Sequence, residues 1–132
     1  MFGFKKKIKA DGIDREIADF LEEADSKYIK AYETRTYSYL KDDFTKDCQI
    51  KILQTITASA SLRYFSNEKF RTTAWTVVSE SDSIGVYMKT VTYDSVHVAG
   101  NMNMKVSADY VERWTIMITP DELLVSDVTL VS

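Results

Sequence analysis

"IGVYMKTVTYDSVHVAGNMNMKVSADYVERWTIMI", residues 84 to 118, decides how this chain folds. Tyr, Val, Ile, Thr and Trp dominate both of its halves and suit half-buried strands. Between them "AGNM", residues 99 to 102, supplies a tight turn centred on Gly100 and Asn101. The sequence therefore predicts a long hairpin, with one strand over 84–98 and the other over 103–119. A turn at that point pairs Ala99 with Met102, and every further pair follows. His97 falls opposite Met104, Ser95 opposite Val106, Tyr93 opposite Ala108, Val91 opposite Tyr110, Lys89 opposite Glu112 and Tyr87 opposite Trp114. These share one face because side chains on a strand alternate. The other face takes Met88 with Arg113, Thr90 with Val111, Thr92 with Asp109 and Asp94 with Ser107. Glu112 and Arg113, adjacent in "YVERWTIMI", thus point to opposite sides. A bulge would break the pairing and set Glu112 beside Val91 or Thr90 instead.

The aromatic face is the one expected to meet the rest of the protein, with Lys89–Glu112 inside it as an opposed ion pair. Opposed charges on a sheet contribute roughly 0.2–1 kcal/mol. Removing one partner from a buried pair costs about 3–5 kcal/mol. The outer face, with Thr72, Thr76, Thr90, Thr92, Thr115, Arg113, Asp109 and Lys105, reads as solvated. It also offers a homodimer interface, in which Met88, Met117 and Val111 would meet their mates across a two-fold axis.

Two further strands flank the hairpin. "KFRTTAWTVVSE" alternates Arg71, Thr73, Trp75 and Val77 against Phe70, Thr72, Ala74, Thr76 and Val78, and "SDS" turns it into the hairpin. After "TPDE", a type I turn signal with Pro120 where its fixed φ fits, "LLVSDVTLV" closes the chain.

Upstream the periodicity is helical. Asp11 or Asp14 can cap a helix whose first turn holds Glu16. Ile13, Ile17, Phe20, Leu21, Ala24 and Tyr28 then recur at three- and four-residue spacings to near Tyr32. Arg15, Asp19, Glu22, Glu23 and Lys30 occupy the opposite face. Tyr37, Leu40 and Phe44 suggest a short second helix. "KDCQIKILQTITASASL" reads as a third, with Ile50, Leu53, Thr57 and Ala60 as its stripe and Ile52 and Ile56 widening it. Helices followed by antiparallel strands make an α+β domain, with N-terminal helices packed on the concave face of a curved four-stranded antiparallel sheet. The division is a basic segment over 1–11 and a single domain over 12–132.

Composition removes several classes of function. The chain has 132 residues and a formal charge of −3. Residues 1 to 11 hold four lysines and one aspartate, a surplus of three positive charges, so the remainder carries −6. An acidic body is the wrong surface for nucleic acid. One cysteine, Cys48, precludes an intrachain disulfide and fits a reducing compartment. With one histidine beside it, no zinc site of the usual type can be built, and no metal or cofactor is expected. No apolar run approaches the roughly 20 residues that span a bilayer. "MFGFKKKIK" is not a secretory signal, since no apolar region follows its lysines. Phe2, Phe4 and Ile8 beside Lys5, Lys6, Lys7 and Lys9 could touch an anionic membrane surface, the plainer reading being a solvated terminus. The expected setting is bacterial-type and cytoplasmic, with membrane association through this segment. Met1 suggests a natural N-terminus.

The closing segment "YVERWTIMITPDELLVSDVTLVS" places Glu112, Trp114, Ile116, Ile118, Asp127 and Val128 in a pattern. It resembles the C-terminal hairpin of the nuclear transport factor 2-like superfamily, the cystatin-like α+β cone. The branch it is similar to holds the C-terminal domain of the mitochondrial import-motor anchor and its bacterial relatives. It departs from that branch after the turn, where "ELLVSD" stands in place of a Trp-led strand. The resemblance implies a pocket between the helices and the concave sheet. It does not select a function, because the superfamily includes isomerases, dehydratases, small-molecule binders and interaction modules.

The expected ligand pocket comprises Tyr28, Tyr32, Tyr87, Lys89, Tyr93, Tyr110, Glu112 and Trp114, although Tyr87 and Trp114 read first as core. An enzyme would use Glu112, Tyr93 and His97 for acid–base work. No Asp–His dyad is visible, and Lys89 would hold Glu112 occupied. The sequence therefore points to a non-enzymatic module that binds a protein partner or a small apolar ligand. The alternative is a proton-transfer enzyme, an isomerase or lyase, using Glu112.

Overall fold

A computed structural model describes residues 12–60 and 65–131. Helix α1 spans Arg15–Thr34 and α2 spans Lys46–Ala60, with a single 3-10 turn at Tyr37–Leu40 between them. Four strands follow: β1 Phe65–Glu80, β2 Ile84–Ala99, β3 Met102–Ile118 and β4 Leu123–Leu130. They form one antiparallel sheet in the order β1-β2-β3-β4. Helices packed on one side of such a sheet are the α+β arrangement that the sequence order predicts.

Asp14 caps α1 by accepting from the Glu16 amide at 3.2 Å. The helix ends where Arg35 turns left-handed at φ 58°, and Thr36 N–H donates back to the Ala31 carbonyl at 3.0 Å. Leu21, Ala24, Asp25, Tyr28 and Ala31 are its buried stripe.

The expected short second helix is a correction. Only one 3-10 turn forms, because the backbone just beyond it serves the sheet. Phe44 bridges Val125 in parallel, Val125 N–H donates to Asp43 O at 2.8 Å, and Thr45 N–H donates to Val125 O at 2.9 Å. This segment covers the middle of the outer edge of β4. A second correction concerns the face of α2. Cys48, Ile52 and Ile56, one turn apart, are buried, whereas Ile50 is exposed. Burial of that stripe sets the rotation, which also brings Lys51 to Asp127 on β4 at 2.7 Å. Burial pushes the Cys48 thiol up to about 12, as suits an inert packing residue.

The β2–β3 register is uninterrupted from Ala99–Met102 to Ile84–Met117. Lys89 faces Glu112 as the turn requires, and no bulge displaces either. β1 behaves differently. Phe70 pairs with Tyr93 and Thr72 with Val91, then the register shifts and Trp75 pairs with Lys89. The extra residue, Thr73, puts Phe70, Thr72 and Trp75 all on the concave face. Thr72, expected on the solvated side, is buried.

The core sits at the narrow end. Trp75, Tyr87, Trp114, Ile116 and Val125 from the sheet meet Leu21, Ala24, Leu40, Phe44, Cys48, Ile52 and Ile56. Trp75 and Trp114 meet edge to face, with centroids 5.1 Å apart. Tyr87 folds back over Gly85 and donates to Glu80 at 2.7 Å. A Cβ at position 85 would collide with the Tyr87 ring, so glycine there makes room for it. On the convex side Met88, Val111 and Met117 are half-buried. The N-terminal residues expected to touch a membrane, Phe2, Phe4, Lys5, Lys6 and Lys7, lie outside the described residues. Among the described residues no helix is long and apolar enough to cross a membrane.

Candidate functional site

At the wide end the helices stand away from the sheet and leave a cavity of ≈ 550 Å³. Tyr28, Ile29, Tyr32 and Arg35 from the second half of α1 form one wall, and Lys51 and Thr55 of α2 form another. The sheet contributes Glu68 and Phe70 (β1), Lys89 and Tyr93 (β2), Tyr110 and Glu112 (β3), and Val128, Thr129 and Leu130 at the end of β4. Lys51, Thr55 and Leu130 are exposed and mark the mouth.

The floor is a buried charge cluster. Lys89 Nζ lies 2.8 Å from Glu112 Oε1 and 2.6 Å from Asp25 Oδ1. Tyr28 OH donates to Glu112 Oε2 at 2.8 Å, and Trp114 Nε1 donates to Glu112 Oε1 at 3.2 Å. Thr72 OH donates to Asp25 Oδ2. The Lys89 side chain is only 1% exposed, and its ammonium sits 4.6 Å from the Tyr28 ring centroid and 4.8 Å from that of Trp114. Charges this deep are tolerated only when paired and hydrogen-bonded, and every member of this cluster is. Ring contacts then lead from the core to the mouth: Trp114 to Tyr28 at 5.1 Å, Tyr28 to Tyr32 at 4.9 Å, Tyr32 to Phe70 at 5.9 Å, and Phe70 to Tyr93 at 5.0 Å.

Exposed ion pairs tie the mouth together. Arg35 meets Glu68 at 2.6 Å, and Glu68 also accepts from Tyr93 OH at 2.9 Å. Lys51 Nζ lies 2.7 Å from Asp127, which Thr129 OH also donates to at 2.6 Å. Burial of the Asp127 carboxyl works against its charge, but the bonds from Lys51 and Thr129 outweigh that and hold it below its ordinary range.

The phenols are locked in their neutral form. Burial, with the Glu112 charge added, pushes Tyr28 and Tyr110 well above the ordinary tyrosine range. Burial also raises Tyr32, despite hydrogen bonds that oppose it, and raises Tyr93. They offer O–H donors and ring faces rather than phenolate bases.

Of the eight residues the sequence assigns to a pocket, Tyr28, Tyr32, Lys89, Tyr93, Tyr110 and Glu112 line this cavity. Tyr87 and Trp114 are fully buried in the core below it. Among the acid–base candidates, His97 lies toward the hairpin turn, paired with Phe65 and Met104, and does not line the cavity. Asp25 escapes sequence reading, although the signal is there: a carboxylate one turn beyond Leu21, on the apolar stripe. Phe70 and Glu68 become visible only once the β1 bulge is known. Among the described residues no group of three His, Cys, Asp or Glu side chains is placed to hold a metal ion. Between Asp25 and Glu112, the place a cation would take is filled by Lys89 Nζ.

No protein-family model matches the chain, and no curated protein matches it in sequence. Solved structures do resemble it. The Kfla4162 protein from Kribbella flavida aligns over 89% of this chain and 91% of its own, with 14% identity and a TM-score of 0.66. The intermembrane space region of the chloroplast protein ARC6 aligns over 91% of this chain and 98% of its own, with 11% identity and a TM-score of 0.62. An Ntf2 like protein involved in plasmid conjugation aligns over 86% of this chain but 47% of its own, with 12% identity and a TM-score of 0.55. Helices on the concave side of a four-stranded sheet, open at the wide end, define an α+β cone. The chain has the nuclear transport factor 2-like fold.

Proposed function

We propose that this chain is a non-enzymatic binding module that takes a small, largely apolar ligand into the open end of the cone. One observation carries the reading: the cavity is open and ring-lined, while the carboxylate at its floor is already engaged. A volume of ≈ 550 Å³ falls within the range of small-molecule sites, about 300–1,000 Å³. Tyr32, Phe70, Tyr93 and Tyr110 supply apolar area, and their hydroxyls supply a few directional donors. A general base must be able to take a proton from its substrate. Glu112 is held by an ammonium, an indole N–H and a phenol, which makes it a strut before it is a base. The proton-transfer alternative is thereby disfavoured.

The test is a plugged cavity. Thr55 is exposed and lines the mouth, so Thr55→Trp fills the entrance without touching the core. A neutral probe, 4-phenylbutan-1-ol, should bind the wild-type protein by calorimetry, and T55W should lose that binding with its unfolding midpoint unchanged. Equal binding by both proteins overturns the proposal.

A further inference from the structure

We propose that the ligand of this cavity is an organic cation: a protonated amine carried on an apolar or aromatic body. The inference rests on the cavity being a ligand site and adds the chemistry of its deep end. The floor cluster sets two carboxylates, Asp25 and Glu112, against the single ammonium of Lys89. Counting the paired residues of the mouth does not restore balance. Among the described residues, Asp25, Glu68, Glu112 and Asp127 face Arg35, Lys51 and Lys89, which leaves one negative charge in excess. At the mouth solvent screens such a surplus, but at the floor it does not.

Acceptor capacity points the same way. A carboxylate has about four lone-pair sites. Glu112 Oε1 serves Lys89 and Trp114, whereas Oε2 serves Tyr28 alone among the described residues. Glu112 lines the cavity with its side chain 8% exposed, so its spare acceptor site lies at the deep end. That site asks for a donor, and the excess charge asks for a positive one. Around it the faces of Tyr28, Tyr32, Phe70, Tyr93 and Tyr110 suit a cation, as Lys89 against the Tyr28 ring already demonstrates. An anionic ligand fits poorly, because among the described residues each cation lining the cavity already has a carboxylate partner at 2.6–2.8 Å.

Three probes of one shape decide the matter at pH 7 and physiological salt: 4-phenylbutylamine, 4-phenylbutan-1-ol and 4-phenylbutanoate. The amine should bind about tenfold or more tightly than the alcohol, and the carboxylate should bind weakest. If the alcohol binds and the amine binds no better, the inference is overturned while the cavity remains a ligand site. If no probe binds, both proposals fail.

A second hollow, at the opposite end, is lined by Asp14, Glu16, Asp19, Glu23, Asp121 and Glu122 and could attract any cation. Amine binding must therefore vanish in Thr55→Trp, and its survival there overturns the inference. Glu112→Gln, if folded, should bring the amine-to-alcohol ratio near one. If that variant does not fold, the wild-type probe series and the Thr55→Trp control still decide.

Discussion

The floor and the mouth of the cone are held by the same chemistry in different solvents. Lys89–Asp25 and Lys51–Asp127 are ammonium–carboxylate pairs of nearly equal length, 2.6 and 2.7 Å. The first pair is 1% and 4% exposed and the second 47% and 39%. In water a pair at this distance gains little beyond what each ion already has from solvent. Away from water the same contact becomes obligatory, because neither ion has another way to be solvated. The floor is therefore specified by need and the mouth by convenience. A wide end held loosely can admit a ligand, and a narrow end held tightly keeps the cavity's deepest polar groups in place.

The largest effect that tests this contrast is removal of the central cation. Lys89→Met leaves the Asp25 and Glu112 carboxylates buried and close together, with only Thr72, Tyr28 and Trp114 among the described residues to satisfy them. Chemical denaturation should show a loss of about 3–5 kcal/mol. The same substitution at Lys51 should cost less than about 1 kcal/mol. Comparable losses at the two positions would break the comparison.

An intermediate effect is expected one contact further out. Thr72→Val keeps the shape of the side chain but removes the donor to Asp25 Oδ2. A hydrogen bond to a charged group is worth about 1.5–3 kcal/mol, and the loss should appear in the denaturation midpoint with an unchanged slope. A smaller loss than at Lys51 would mean that Asp25 is less dependent on protein partners than its burial implies.

The hairpin was legible because a single tight turn propagates its register along two long strands. Gly100–Asn101 thus places Lys89 opposite Glu112 from more than ten residues away. Nothing comparable announces the bulge at Thr73, since an inserted residue leaves the alternation of β1 plausible on either side. That is why Thr72 reads as solvated and Phe70 is missed. Helix faces were legible where apolar residues dominate, as with Leu21, Ala24 and Tyr28. They were less legible in α2, where Ile50, Ile52, Leu53 and Ile56 spread over nearly half of the helix's circumference, so the stripe alone did not say that Ile50 would be left exposed. Asp25 was hidden by composition rather than geometry, because a charge on an apolar stripe reads as an exception until its partner is seen. The ligand cavity is a gap between elements, so its lining residues could be nominated from the concave face but its shape could not.

The smallest effect probes the mouth alone, through pH. The Asp127 carboxyl at the mouth is held below its ordinary range. A carboxyl depressed in the folded protein contributes stability that is present above its unfolded value of about 4 and disappears as pH falls through its folded value. Lys51 donates the bond chiefly responsible, so Lys51→Met should lower the melting temperature by a few degrees at pH 7. That difference from wild type should begin to shrink as the pH falls below about 4 and be lost only below the depressed folded value, where Asp127 is protonated in both proteins. Raising the salt to about 1 M at pH 7 should shrink it too, because the screening length then falls to about 3 Å, comparable with this exposed pair's 2.7 Å. Salt should not close the gap between Lys89→Met and wild type in the same way, since it does not reach the floor. A salt response of equal size at the two lysines would show that water enters the cone to its base, and the distinction between a fixed floor and a yielding mouth would fall.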